Sequence, residues 1–270
     1  MLVPRVAGCQ NGLPGRCSPR GEQGSTNTDE EDEWMSGAGE CTAGNGSGRS
    51  GEPPDPRGLV DRFRNAFPRL SVEEQRLSLA LYGLLAQGRP VSAERLADTL
   101  GQEASGVRRR LEDWPGVLRD AQGAVIGFLG LAIGETAHRF RVGGTTLYTW
   151  CAWDALFLPE LLGATAQVES SCPATGQPIR LTVGPQRVEA VAPARTVLSF
   201  LVPGAEDLRL HTISRFCHYV HFFASAAAGQ GWMEHHEGTY LMTLEDGFGL
   251  ARAVNGVRYP DLLGGVRPAD

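Results

Sequence analysis

Leu147-Tyr148-Thr149-Trp150-Cys151-Ala152-Trp153-Asp154-Ala155-Leu156-Phe157-Leu158-Pro159 is an apolar run interrupted by a thiol and a carboxylate three residues apart. A helix over Cys151 to Leu162 would set positions i and i+3 on one face, about one turn apart, with the sulfur of Cys151 beside the carboxyl of Asp154. Trp150, Trp153 and Phe157 would lower the local dielectric, raise both pKa values and favour a proton held between the two groups. The same residues also suit a plainer account, in which Cys151 is a small core hydrophobe and Asp154 caps or solvates a helix turn. Taken alone, this stretch leaves both open.

On its N-terminal side, Arg139 to Val142 and Thr145 to Tyr148 flank Gly143-Gly144, a hairpin signal. On its C-terminal side, Ala166 to Ser170 and Ile179 to Val183 read as strands around Cys172-Pro173-Ala174-Thr175-Gly176, and Val188 to Val191 and Val197 to Val202 are expected to extend the same sheet. A strand over Phe216 to Ala224, a short helix near Trp232 and a helix from about Leu244 to Val254 complete this half. Alternation along that strand would put Cys217, Tyr219, His221 and Phe223 on one face. Cys217 with His218 and His221 also raises zinc, but the three do not share a strand face, and a histidine bonded to backbone explains His221 more simply. His235-His236 reads as a solvated helix end.

Further upstream the pattern is helical. Ser71 and Glu74 form a capping-box start, followed by Leu77, Leu81, Leu84 and Leu85 at helical spacing. Gly88-Arg89-Pro90 ends that helix near Gln87, Ser92 caps a second through Leu100, and Ser105 precedes a third over Val107 to Asp113. Val117 to Ile133 reads as two short strands around the turn Asp120-Ala121-Gln122-Gly123. Three helices and a β-wing predict a winged helix over residues 57–133, joined to a β-rich domain over 134–270 in an α+β arrangement. Arg108-Arg109-Arg110 on the third helix raises nucleic-acid binding, against which stand Glu112, Asp113 and the other uses of this fold.

Residues 1–56 hold eleven of the 35 glycines and the acidic run Asp29 to Glu33, with too little apolar surface to offset the entropy of ordering, and read as a disordered acidic tail. With nine acidic and four basic residues they carry five of the six net negative charges, so the remainder is close to neutral and gives no general attraction for nucleic acid. The 41% hydrophobic content of this 270-residue chain suffices for one sizeable core and a small second domain. All 25 basic residues are arginine, which excludes Schiff-base chemistry and a phosphate-loop lysine. Six cysteines (Cys9, Cys17, Cys41, Cys151, Cys172, Cys217), half of them in the tail, do not make a disulfide scaffold. With no secretory signal or membrane span in the sequence, a reducing cytoplasm is expected.

Three motifs carry a resemblance: Leu-Tyr-x-Trp-Cys-Ala-x-Asp over Leu147 to Asp154, Ser-x-Cys-x-Ala-Thr-Gly over Ser170 to Gly176, and Phe-Cys-x-x-Val-His-Phe-Phe-Ala-Ser over Phe216 to Ser225. In this order they resemble the organomercurial (alkylmercury) lyases, from roughly Val72 onward and more weakly after Ala226. The resemblance implies a β-rich catalytic domain in which Cys151 and Cys217 bind the mercury of R–Hg⁺. Asp154 would take a proton from a thiol and deliver it to the departing carbon, leaving hydrocarbon and bound Hg(II). Soft thiolates are the ligands expected for so soft an ion. It further implies a structural role for Cys172, no separate cofactor, transfer of Hg(II) to mercuric reductase or cellular thiols, and a helical module that does not read DNA. One departure is His218, where some relatives carry a second cysteine. The competing expectation is a winged-helix regulator sensing soft metals or thiol reagents through the same cysteines, and a second is a relative that only binds metal, against which Asp154 stands.

Overall fold

The computed structural model describes residues 55–67, 69–202, 204, 208 and 212–263. The expected acidic tail, with Cys9, Cys17 and Cys41, lies outside the described residues apart from Asp55 and Pro56. The chain opens with α1 (Pro56–Ala66), which sequence reading did not anticipate; Asp55 accepts from the N–H groups of Arg57 and Gly58, and Pro56 fills the first helical position, where no N–H is needed. Leu59, Phe63 and Ala66 are its buried stripe at i, i+4 and i+7.

The helical module follows the predicted signals closely. In α2 (Val72–Leu85) the capping box is complete: Ser71 N–H donates to Glu74 Oε2 at 2.8 Å and Glu74 N–H to Ser71 Oγ at 3.3 Å. Ser92 caps α3 (Ala93–Leu100), which stops at Gly101 in the left-handed conformation. The next helix, α4 (Ala104–Asp113), starts earlier than expected, with Glu103 at its N-cap making no side-chain bond and Ser105 inside the first turn. β1 (Val117–Arg119) and β2 (Val125–Phe128) form the wing, and Asp120 holds its turn by accepting from the N–H groups of Gln122 and Ala124.

The wing does not end there. β3 (Leu131–Ala132) pairs with β2 on one side and with β5 (Thr145–Thr149) on the other, so the wing is continuous with the main sheet. With β4 (His138–Val142), β6 (Ala166–Ser171), β7 (Pro178–Val183) and β8 (Val188–Ala192), the described residues form an eight-stranded antiparallel sheet in the order β1-β2-β3-β5-β4-β6-β7-β8. β9 (Val197–Leu201) was expected to extend this sheet and does not. Its inner residues Leu198, Ser199 and Phe200 are all buried, as in a strand covered on both faces, and it lies between β10 (Phe222–Phe223) and β11 (Thr239–Thr243) in a second sheet. Exposed Glu189 and Ala190 leave β8 as the edge.

The helices α5 (Asp154–Leu162), α6 (Ala226–Met233) and α7 (Leu244–Arg258) complete the mixed α+β architecture. Phe63 of α1 packs tilted at 4.8 Å against Trp153 and edge-on at 5.8 Å to Phe216, and Phe200 of β9 closes the cluster at 5.5 and 5.3 Å from the same two rings. This aromatic core lies beneath two turns, one following β5 and one preceding β10.

Candidate active site

Two expectations about local structure fail here, and the residues converge nonetheless. Cys151 is not helical: β5 ends at Thr149, residues 150–153 form a turn, and α5 begins at Asp154. At the first helical position Asp154 reaches back, and its Oδ2 accepts the Cys151 N–H at 2.7 Å. The three-residue spacing therefore works as a side-chain-to-backbone turn rather than as a helix face. Cys217 is not on a strand either. Thr212–Phe216 is a π-turn, Cys217–Tyr219 a 3₁₀ turn closed by Val220 N–H to Cys217 O, and only Phe222–Phe223 pairs as a strand. Adjacent Phe216 and Cys217 are both buried, which strict alternation would forbid.

The turns are tied together where Ala152 N–H donates to Val220 O at 3.1 Å. As a result Cys151 Sγ, Cys217 Sγ and a carboxylate oxygen of Asp154 all lie within 4.8 Å of one another. Exposure is 0% for Cys151, 5% for Asp154 and 3% for Cys217, so water does little to screen the group.

Burial pushes the Asp154 carboxyl up to about 7, although the thiol and N–H of Cys151 and the N–H of Trp150 work the other way. Burial, the contact with Cys217 and the charge of Asp154 drive the Cys151 thiol well above its ordinary range. Hydrogen bonding from Cys151 favours the Cys217 thiolate, but burial and the Asp154 charge outweigh it and leave that pKa raised too. Near neutral pH the site is a pair of thiols beside a carboxyl poised to take or give one proton. Two sulfurs and an oxygen suit a soft metal centre, with the carboxyl free for acid–base work.

Asp154 and Cys217 open onto a pocket of about 550 Å³, part of it open to solvent, while Cys151 lies behind them. Its walls are strongly aromatic, with Phe63, Tyr82, Trp150, Trp153 and Phe157 among them. Sequence reading missed Phe63, Tyr82 and the Leu129–Gly130 corner as parts of this site. Phe63 could have been found from the i, i+4, i+7 stripe of α1. Tyr82 sits among core leucines and carries no signal of its own.

The other candidates lie elsewhere. Cys172 is buried in its turn, where N–H groups of Thr175 and Gly176 meet its carbonyl, and it lines no part of the pocket. His221 Nε2 bonds to the His218 carbonyl at 2.8 Å, and neither imidazole joins the thiol group. His235 is exposed at the end of α6, whereas His236 stacks on Trp232 at 3.6 Å. On α4, Arg108 pairs with Glu94 and Arg110 with Glu73.

Two family models match the chain: one described as alkylmercury lyase over residues 131–256, the other as the helix-turn-helix domain of alkylmercury lyase over 69–129. Among curated relatives, the alkylmercury lyase of Pseudomonas putida is 46% identical over 179 residues, covering 66% of this chain and 82% of the relative. That of Staphylococcus epidermidis is 41% identical over 181 residues, covering 67% and 82%. Among solved structures, the mercury-bound form of MerB2 is similar at a TM-score of 0.61 and 25% identity, covering 75% of this chain and 98% of its own.

Proposed function

The chain belongs to the alkylmercury lyase family and is a lyase that cleaves carbon–mercury bonds, and from that premise we propose that Cys151, Cys217 and Asp154 carry the reaction. The observation that supports this most directly is the meeting of two buried thiols and a buried carboxyl within 4.8 Å beside an apolar pocket. An organomercurial R–Hg–X enters with X a thiolate. One cysteine replaces X, which leaves with that cysteine's proton as HX. The second cysteine gives its proton to Asp154 and binds the same mercury.

With two thiolates donating to it, the mercury polarises its bond toward carbon. Asp154 then delivers the proton to that carbon, the electron pair of the C–Hg bond forms the new C–H bond, and R–H departs. What remains is Hg(II) held by two cysteine sulfurs. A carboxyl with a pKa of about 7 suits both halves of this cycle, since a general acid–base works best near ambient pH. The aromatic walls favour an apolar R group and keep competing water away.

Dithiolate-bound Hg(II) leaves by ligand exchange, to cellular thiols or to the cysteine pair of mercuric reductase. No resident cofactor enters this scheme. Dependence on free thiols suits a reducing cytoplasm. Among the described residues no helix is long and apolar enough to cross a membrane. Pairing of Arg108 and Arg110 with carboxylates supports a helical module that serves packing rather than DNA.

Purified, reduced protein given phenylmercury and excess thiol should release benzene together with Hg(II). Cys151→Ser and Cys217→Ser should each lower that rate by at least about a hundredfold, since a hydroxyl is a poor ligand for a soft ion. Turnover retained in either variant would remove that residue from the mechanism.

A further inference from the structure

We propose that Tyr82 is a positioning residue for Asp154, so that helix α2 of the winged-helix module sets the geometry of proton delivery. The inference rests on the role assigned to Asp154 above. Tyr82 is buried on α2; its ring packs against Phe128 at 4.9 Å and its hydroxyl donates to the carbonyl of Leu129 at 3.0 Å. Behind it stands Tyr259, bonded to Ser78 at 2.8 Å.

Leu129 has φ +33°, a backbone conformation that a bulky side chain adopts only where its surroundings hold it. Three hydrogen bonds hold this corner: Leu129 N–H to Gly116 O at 2.9 Å, Tyr82 to Leu129 O, and Trp150 N–H to Gly130 O at 2.9 Å. Fixed in this way, Gly130, at φ +100°, lies flat against the carboxyl. A Cβ there would stand 2.7 Å from Asp154 Cγ and 2.8 Å from Oδ1.

The Leu129–Gly130 corner is thus the wall on which the Asp154 carboxyl rests, and the Tyr82 hydroxyl fixes that wall from the helical module. Burial keeps the Tyr82 phenol protonated, with a pKa well above the ordinary value, so it remains a donor throughout the working range. Without the hydroxyl, a partly buried carbonyl loses its partner and the strained corner is free to relax away from the carboxyl. Proton transfer to carbon tolerates little displacement, whereas the first capture of mercury, in which one cysteine replaces X and its proton leaves with X, does not depend on this wall.

The test is Tyr82→Phe, which keeps the ring and removes the hydroxyl. In single turnovers with phenylmercury across pH 5.5 to 8.5, mercury uptake should stay at one per chain. Benzene release should slow by about tenfold, with a displaced midpoint in its pH profile. Gly130→Ala, which crowds the carboxyl from the same wall, should give the same split between uptake and release. Release within twofold of wild type in a folded Tyr82→Phe protein would overturn the proposal, as would a parallel loss of uptake and release. Should Tyr82→Phe fail to fold, Tyr82→Leu, which likewise lacks the hydroxyl, decides by the same criterion. Wild-type protein that takes up mercury yet frees no benzene would instead overturn the reading of Asp154 itself.

Discussion

A single buried carboxyl sets the chemistry and costs stability. Asp154 keeps its proton to about pH 7, whereas an aspartate in water releases it near 3.8. Between those values the folded chain holds a proton that the unfolded chain has lost, so the contribution of Asp154 to stability falls as pH rises from about 4 to about 7 and is level above. Asp154→Asn removes the charge while an amide oxygen can still accept the Cys151 N–H. We expect it to be more stable than wild type by about 2–4 kcal/mol at pH 8, with the gain vanishing near pH 4. Denaturant unfolding at the two pH values checks this, and equal stability at pH 8 would mean that Asp154 is not held neutral by its surroundings. At this scale the sequence was legible in part. The aromatic run around Cys151 and Asp154 pointed to raised pKa values but suited a core cysteine and a capping aspartate equally well, and Cys217 was joined to them only through the family resemblance.

The elements carrying those residues were read less well, for a physical reason. Periodicity reports extended or helical backbone, and both thiols sit on turns that have neither. The i+3 spacing of Cys151 and Asp154 was correctly seen and wrongly explained, because a carboxylate reaching back to an N–H covers the same distance as one helical turn. In Phe216 to Ala224 the apolar density came from a buried turn, which mimics a strand in composition. Helix α1 escaped notice although its Phe63 touches Trp153 beside one thiol turn and Phe216 beside the other. Phe63→Ala should therefore destabilise the chain by about 3–5 kcal/mol, as measured by chemical unfolding. It should also slow benzene release, since both turns lose their shared support. Unchanged stability and rate would show that α1 is not part of the site's foundation.

Across the whole molecule, the winged helix and the β-rich half were both legible from caps, turns and alternation, while their fusion was not. No local signal announces that the two-residue strand β3 links the wing to the main sheet, since pairing partners are set by tertiary contacts. The same limit applies to β9, whose membership in a second sheet depends on strands far along the chain. These long-range ties make a prediction about boundaries. A chain starting at Asp55 keeps the cap and proline of α1 and should retain kcat within about twofold, whereas one starting at Arg69 lacks Phe63 and should lose most activity. Comparable loss in both would place a functional element before Asp55.

The most direct test of the central claim is a single turnover of Asp154→Ala with phenylmercury, following protein-bound mercury and free benzene in the same sample. With Cys151 and Cys217 intact, the account predicts stoichiometric capture of phenylmercury by exchange at one thiol and almost no benzene. Benzene released at the wild-type rate would show that the proton reaches carbon from another group, and the role given to Asp154 would fall.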